Sequence, residues 1–194
     1  MQILAGLYRG RRLLPPPPGS DTRPITGLVK KSLFGMIAPR LPGATVLDLY
    51  CGTGTLGLEA LSQGAERCFF AERDKRVLAQ LKQNIRTLAL MDRCVVWGGD
   101  VSGGLAEWLD RVNLRADVVF VDPPFETARR WSWGEVERTI FVPVARHLSS
   151  SGVVALRLPS RVQGPDKIGP LRTWKSRHYG GMSVVLFVGG EEGT

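Results

Sequence analysis

Asp48-Leu49-Tyr50-Cys51-Gly52-Thr53-Gly54-Thr55-Leu56-Gly57 is the stretch on which the fold turns. It runs from the apolar segment Val46–Tyr50, which reads as a buried strand, into a helical pattern over Leu56–Gln63. A strand, a glycine-rich turn and a helix in that order open a βαβ unit. The rhythm continues downstream. Arg67–Glu72 reads as a strand, Lys75–Leu90 as an amphipathic helix with Val77, Leu78, Leu81, Ile85 and Leu88 at helical spacing, and Cys94–Trp97 as a third strand. Leu105–Leu109 reads as a helix, Asp117–Val121 as a strand, Glu135–Leu148 as a helix and Val153–Leu158 as a fifth strand. Strands near Leu171–Trp174 and Val184–Val188, with no helix between them, predict an antiparallel closing pair. The class is α/β: a mostly parallel, seven-stranded, Rossmann-like sheet with helices on both faces.

Upstream, residues 3–14 read as a β-hairpin, and Pro15 to Pro18 as a stiff extended spacer. A helical pattern follows from Leu28 to Ile37. The chain divides into a basic hairpin and spacer (1–22), a main domain (23–190) and a tail (191–194).

Gly52, Gly54 and Gly57 satisfy the spacing G-x-G-x-x-G, with Glu72 ending the second strand as a dinucleotide site requires. Asp48 argues against that ligand, because a carboxylate beside the loop opposes a pyrophosphate on the following helix. It suits a cofactor with a cationic end and no phosphate, such as S-adenosylmethionine. On this reading Gly52 and Gly54 admit the backbone close to the cofactor, Glu72 accepts from ribose hydroxyls and Asp100 accepts from the adenine amino group. Each residue also has an ordinary use: Asp48 as a loop cap, Glu72 as a solvated charge, Asp100 as a helix N-cap. Their joint placement at successive strand ends favours the cofactor.

Asp122-Pro123-Pro124-Phe125 follows the apolar run Val118–Val121. It therefore caps the carboxyl end of a strand, where open α/β sheets bind ligands. Two prolines remove two backbone donors, so the loop offers acceptors to an amino group, and Phe125 offers a ring to stack on a planar base. The ordinary alternative is a strand-ending turn.

The 194 residues carry 26 Lys and Arg against 18 Asp and Glu, a formal net charge of +8 that is unevenly spread. Arg9, Arg11, Arg12, Arg23, Lys30, Lys31 and Arg40 face only Asp21 within residues 1–40. Arg157, Arg161, Lys167, Arg172, Lys175 and Arg177 face only Asp166 within residues 157–178. Basic flanks around a mildly acidic middle imply a polyanionic partner. Cys51, Cys68 and Cys94 have no metal-ligand or disulfide spacing, and no apolar run reaches membrane-spanning length. A cytoplasmic protein with no structural metal, monomeric by default, is the expectation.

With these motifs in hand, the chain resembles the class I S-adenosylmethionine-dependent methyltransferases. More narrowly, it resembles the RsmD-type bacterial family that methylates guanine N2 in 16S ribosomal RNA. The resemblance rests on the cofactor motifs, on Gly6-x-Tyr8-Arg9-Gly10-Arg11, on Arg23-Pro24-Ile25-Thr26 with Leu33-Phe34 after it, and on Tyr179-Gly180. Gly27 and Lys30-Lys31 depart from the family pattern. The resemblance implies 16S rRNA or a small-subunit particle as partner, no membrane, and S-adenosyl-L-methionine as cofactor. It implies a catalytic set of Asp122, Pro123, Pro124 and Phe125. The implied cofactor set is Asp48, Tyr50, Cys51, Gly52, Thr53, Gly54, Glu72, Arg73, Asp100, Val101 and Asp122. RNA contacts fall to Arg9, Arg11, Arg12, Arg23, Thr26 and Lys30, and Trp131 and Trp133 are candidates either to stack on a flipped nucleotide or to pin their loop. Three alternatives stay open: a DNA adenine-N6 or cytosine-N4 methyltransferase, an inactive RNA-binding assembly factor, and, more distantly, a nicotinamide oxidoreductase.

Overall fold

The computed structural model describes residues 1–20 and 25–190. Arg23 and the 191–194 tail lie outside them. The expected alternation is present: β1 (Thr45–Leu49), α2 (Thr55–Ser62), β2 (Arg67–Ala71), α3 (Lys75–Thr87), β3 (Cys94–Trp97), α4 (Val101–Val112) and β4 (Ala116–Val121). α1 (Gly27–Ile37) precedes them. β5 (Leu148–Pro159), β7 (Leu171–Tyr179) and β8 (Met182–Gly189) are longer than their apolar runs predicted. The single helix expected over Glu135–Leu148 starts earlier, as α6 (Trp133–Val136). It passes through a π turn at Glu137–Phe141 and continues as α7 (Val142–Arg146).

Two elements escaped the sequence reading. A one-turn helix α5 (Phe125–Arg129) starts within the Asp-Pro-Pro-Phe motif, and a two-residue strand β6 (Lys167–Ile168) makes the sheet eight-stranded rather than seven-stranded. The strand order is β3-β2-β1-β4-β5-β8-β7-β6. The first five strands are mutually parallel, and β8 pairs antiparallel with both β5 and β7. Chain order reverses between β1 and β4, so their following loops diverge and leave a crevice at the carboxyl edge.

Residues alternate between two cores. Val46, Val118, Phe120, Val153 and Ala155 pack with α1, α2 and α3 on one face. Leu47, Val119, Val121, Val154 and Leu156 pack with α4 to α7 on the other. The expected N-terminal hairpin is a tight antiparallel loop with a single bridge, Gln2 to Arg12, rather than a full ladder. Ile3 and Leu13 nonetheless belong to the first core.

Lys30 holds that loop in place. It was expected to meet RNA; instead it is 3% exposed, with its Nζ 2.7 Å from Glu59 Oε2 and 2.8 Å from the Gln2 carbonyl. Glu59 is fully buried on α2 and also accepts from the Leu4 and Ala5 N–H groups at 2.8 and 2.9 Å. A buried charge persists only when paired and hydrogen-bonded, so Lys30 is a strut. Thr26 likewise caps α1, its Oγ1 accepting from Val29 N. Arg9, Arg11 and Arg12 remain exposed on the loop.

Candidate active site

β1, β2 and β4 each deliver an acidic residue to one crevice. Asp48 is the fourth residue of β1, in register with Phe70 of β2 and Phe120 of β4. Glu72 and Asp122 are the first residues past β2 and β4. All three line a pocket together with Tyr50, Cys51, Gly52, Thr53, Arg73, Val101 and Pro123 to Phe125. Met1, Pro16, Ser20 and Ile25 complete its wall, a contribution that the sequence did not reveal.

The glycine loop is shaped by backbone geometry. Tyr50, Gly52 and Gly54 all adopt left-handed φ, at 57°, 56° and 85°. For tyrosine that conformation costs of order 1 kcal/mol. The phenol is braced against Trp131, with ring centroids 6.4 Å apart. Gly54 was expected to admit cofactor. Its constraint lies inside the protein, because a Cβ there would stand 2.5 Å from Leu81 Cδ1. Asn84 of α3 fastens the loop from beneath, donating to the Thr53 carbonyl at 3.0 Å while accepting from Leu14 N at 2.8 Å.

Asp48 is fully buried, and its two oxygens differ. One oxygen accepts from Gly57 N at 2.8 Å, so the loop-cap reading is correct as far as it goes. The other oxygen finds no hydrogen-bond partner among the described residues, and neither does the buried Thr53 hydroxyl. Burial pushes the Asp48 carboxyl up to about 8, with Asp122 and Glu72 adding repulsion and the Gly57 N–H opposing. Glu72 is 9% exposed, not a solvated charge; it accepts from Gly52 N at 3.1 Å and Asp74 N at 2.8 Å. Three carboxyls around one cavity suit a cationic ligand and repel a pyrophosphate. The orphaned Asp48 oxygen is where an ammonium fits.

Asp100 behaves differently. It is the N-cap of α4, accepting from Ser102 N at 2.9 Å, and it pairs with Arg73 at 3.2 Å on the surface. Gly99, Val101 and Ser102 line the pocket in its place.

The Asp122 amide donates to the Leu49 carbonyl at 3.3 Å, continuing the ladder, and the Pro124 carbonyl accepts from Ala128 N to start α5. Val121 pairs with Leu156, so the next rung sets Asp122 beside Arg157 of β5. The Arg157 Nε donates to Asp122 Oδ1, and its guanidinium lies 5.1 Å from the Phe125 ring centroid. Arg157 was counted in the basic flank that implied a polyanionic partner; at 6% exposure it is the buried counter-ion of the motif. Burial raises the Asp122 pKa and Arg157 pulls it back. Trp131 and Trp133 pack on each other, and Trp131 packs on Phe141; they pin their loop and are absent from the pocket wall. Among the described residues, no cluster of His, Cys, Asp or Glu could hold a metal ion.

This sheet order, with a carboxylate-lined crevice at the β1/β4 switch, defines the class I S-adenosylmethionine-dependent methyltransferases. Comparisons with solved structures agree: an Escherichia coli structure titled putative methyltransferase yhhF matches at TM-score 0.80 and 28% identity, over 99% of each chain. The Haemophilus influenzae putative methylase HI0767 matches at TM-score 0.73 and 26% identity, over 98% of each. The model of the family described as "Conserved hypothetical protein 95" matches residues 1–188, and the chain belongs to that family, the RsmD family of methyltransferases. The Bacillus subtilis putative rRNA methyltransferase YlbH is 31% identical, over 96% of this chain and 98% of that protein. The Escherichia coli ribosomal RNA small subunit methyltransferase D is 38% identical over 125 residues, which are 64% of this chain and 60% of that protein.

Proposed function

We propose that this protein transfers a methyl group from S-adenosylmethionine to the exocyclic N2 of a guanine in 16S ribosomal RNA. The observation that carries the reading is the Asp122-Pro123-Pro124-Phe125 loop, opening onto a pocket walled by Asp48 and Glu72, in a chain that is 38% identical over 125 residues to an rRNA small subunit methyltransferase. When bound, the cofactor supplies an electrophilic methyl group on a sulfonium, to be passed in line to nitrogen. The orphaned oxygen of Asp48 would hold the ammonium, Glu72 the ribose, and Val101 an apolar face of the adenine.

The chain's own part is to prepare the nucleophile. An arylamine lone pair is delocalised into its ring, so nitrogen must be freed to attack. Asp122 and the Pro123 carbonyl accept the two amino hydrogens, favouring a tetrahedral nitrogen and offsetting its growing positive charge. Proton loss follows bond formation, so Asp122 need not be a strong base. Phe125 fixes the base plane, and a base reaching this depth must leave any stack. Arg157 opposes the effect of burial, favouring the ionised form of Asp122, and aims its carboxyl.

Methyl transfer from labelled S-adenosylmethionine into undermethylated small-subunit particles tests the proposal, with free 16S RNA and duplex DNA alongside. N2-methylguanosine in the digest is the expected product. N6-methyladenine or N4-methylcytosine in DNA would replace the reading with a DNA methyltransferase, and cofactor binding with no label in any substrate would end it.

The Asp48 titration gives a second check. A cation beside Asp48 favours its charged form, so cofactor affinity should rise from about pH 6 to pH 8, with proton release on binding. Calorimetry in buffers of different ionisation heat reads both effects. Asp48→Asn keeps an oxygen for the Gly57 N–H and removes the charge; affinity should fall roughly 10–100-fold and lose its pH dependence. In the cofactor-free protein the sign is reversed. The folded carboxyl retains a proton that the unfolded one releases near 3.8, so stability falls as pH rises towards about 8.

Arg157→Met removes the positive neighbour and lifts the Asp122 pKa further. The acid limb of the turnover profile should then move to higher pH, with Arg157→Lys moving it less and cofactor affinity changing far less than turnover in both. A profile that keeps its position in Arg157→Met would show that Arg157 only packs.

A further inference from the structure

β7 departs from the pattern of the other long strands: from Arg172 to Tyr179 no residue is buried. Its rungs with β8 set Arg172 opposite Val188, Lys175 opposite Leu186 and Arg177 opposite Val184. Directly opposed residues of an antiparallel pair share a face, and those three β8 residues pack into the core beneath α1 and the N-terminal loop. The three cations therefore form a row on the same side of the sheet as Arg9, Arg11 and Arg12. Between them the ladder slips by one residue at Trp174, a β-bulge that turns the indole out of the strand. Trp174 is 43% exposed, with the Arg40 guanidinium 4.6 Å and the Lys175 ammonium 6.0 Å from the ring centroid. The Tyr179 end of the row lies at the carboxyl edge of the sheet, where Tyr179 pairs with Met182 and Met182 with Pro159; there the Tyr179 and Ser32 hydroxyls lie 2.5 Å apart. No acidic residue occurs between Lys167 and Gly190.

An ordinary account of cations on β7 exists. β6 covers only Leu171 and Arg172, so the outer edge of β7 beyond them has no strand partner among the described residues. Lys and Arg commonly guard such an edge against pairing with another chain. A large exposed indole works against that purpose. An aromatic face set among cations, on a stretch from Arg172 to His178 with no other apolar side chain, is the chemistry of a nucleic-acid platform: charge for the phosphates, a ring for a base.

We propose that Arg172, Lys175 and Arg177, with Trp174 and Arg40, form a second RNA-holding surface on β7. It lies across α1 from the N-terminal loop, so the two grip the RNA on either side of the target. The inference rests on the RNA-methylating function proposed above and adds a surface to it. The cations are for phosphate and carry affinity, not base choice.

The test measures affinity for small-subunit rRNA across a salt series, for the parent and for Lys175→Gln/Arg177→Gln and Trp174→Ala. The double variant should bind more weakly and lower the slope of log affinity against log salt by about 1.5, the loss of two phosphate contacts. Trp174→Ala should cost roughly tenfold. Cofactor affinity and thermal midpoint should stay at the parent's values in both. A parent that binds RNA, with variants of equal affinity and slope, overturns the surface and leaves the proposed function standing. In that case, new dimers or aggregates in the double variant would assign the cations to edge protection. A parent with no affinity for the rRNA, either free or in undermethylated small-subunit particles, removes both proposals.

Discussion

Asp122→Asn should lower turnover about 100- to 1,000-fold while changing cofactor affinity only a few-fold. The magnitude is that of removing one preorganised electrostatic partner from a developing charge. Asparagine is the informative replacement, because it keeps the volume beside Arg157 and Phe125 and deletes only the negative charge. Alanine would also remove the oxygen that accepts from Arg157 Nε, costing a buried hydrogen bond and mixing a folding defect into the kinetics. Asp122 and Asp48 repel each other across the pocket, so Asp122→Asn also lowers the Asp48 pKa. Cofactor affinity in the variant should therefore vary less between pH 6 and pH 8. Stopped-flow or single-turnover methylation separates the chemical step from binding. Equal losses in turnover and cofactor affinity would remove Asp122 from the chemistry and make it part of the cofactor site.

The largest stability effect is expected far from the chemistry, at Glu59. Glu59→Ala leaves the Lys30 ammonium buried without a counter-charge and strands the Leu4 and Ala5 N–H groups. Breaking a buried pair from one side costs about 3–5 kcal/mol, or roughly 10 °C of melting temperature for a domain of this size. Lys30→Met should cost less, because Glu59 keeps its two backbone donors. The double change Lys30→Met/Glu59→Leu should recover part of the loss of Glu59→Ala, as replacement of a whole ion pair by apolar groups often does. RNA affinity supplies the second readout. Lys30→Met should disturb it only as far as the N-terminal loop loosens, whereas Arg11→Gln/Arg12→Gln should reduce it, and its salt dependence, in a fully stable protein.

The β1-loop-α2 unit and the carboxyls of Glu72, Asp100 and Asp122 were legible because each depends on local pattern: apolar runs set the strands, and these acids follow where the runs stop; Asp48 showed as a lone acid inside an apolar run. Asp48 could be read both as a cap and as a cofactor ligand; one oxygen makes the cap and the other has no partner among the described residues. What escaped depends on pairing between distant segments. Arg157 lies within Val153-Val154-Ala155-Leu156-Arg157-Leu158, and a lone charge in an apolar strand is itself a sign of a buried partner. Its nearness to other cations placed it in the basic flank instead. Only the β4/β5 register identifies Asp122 as its partner. Lys30 gave no such sign, because Glu59 stands 29 positions away on another helix. α5 was hidden by the prolines before it, which end a strand and permit a helix start equally well. β6 is too short for periodicity to reveal.

The strut at Glu59 bears on how such chains can be recombined. A loop transplanted from a relative would arrive with its own backbone but would have to meet this α2 and this lysine. Residues 1–16, Lys30, Glu59 and Asn84 therefore form one unit of inheritance, although they are scattered along the chain. A chimera that exchanges the loop alone should fold poorly, and one that carries all four parts together should keep its shape. Target preference could then be moved between relatives only by moving part of the scaffold with it.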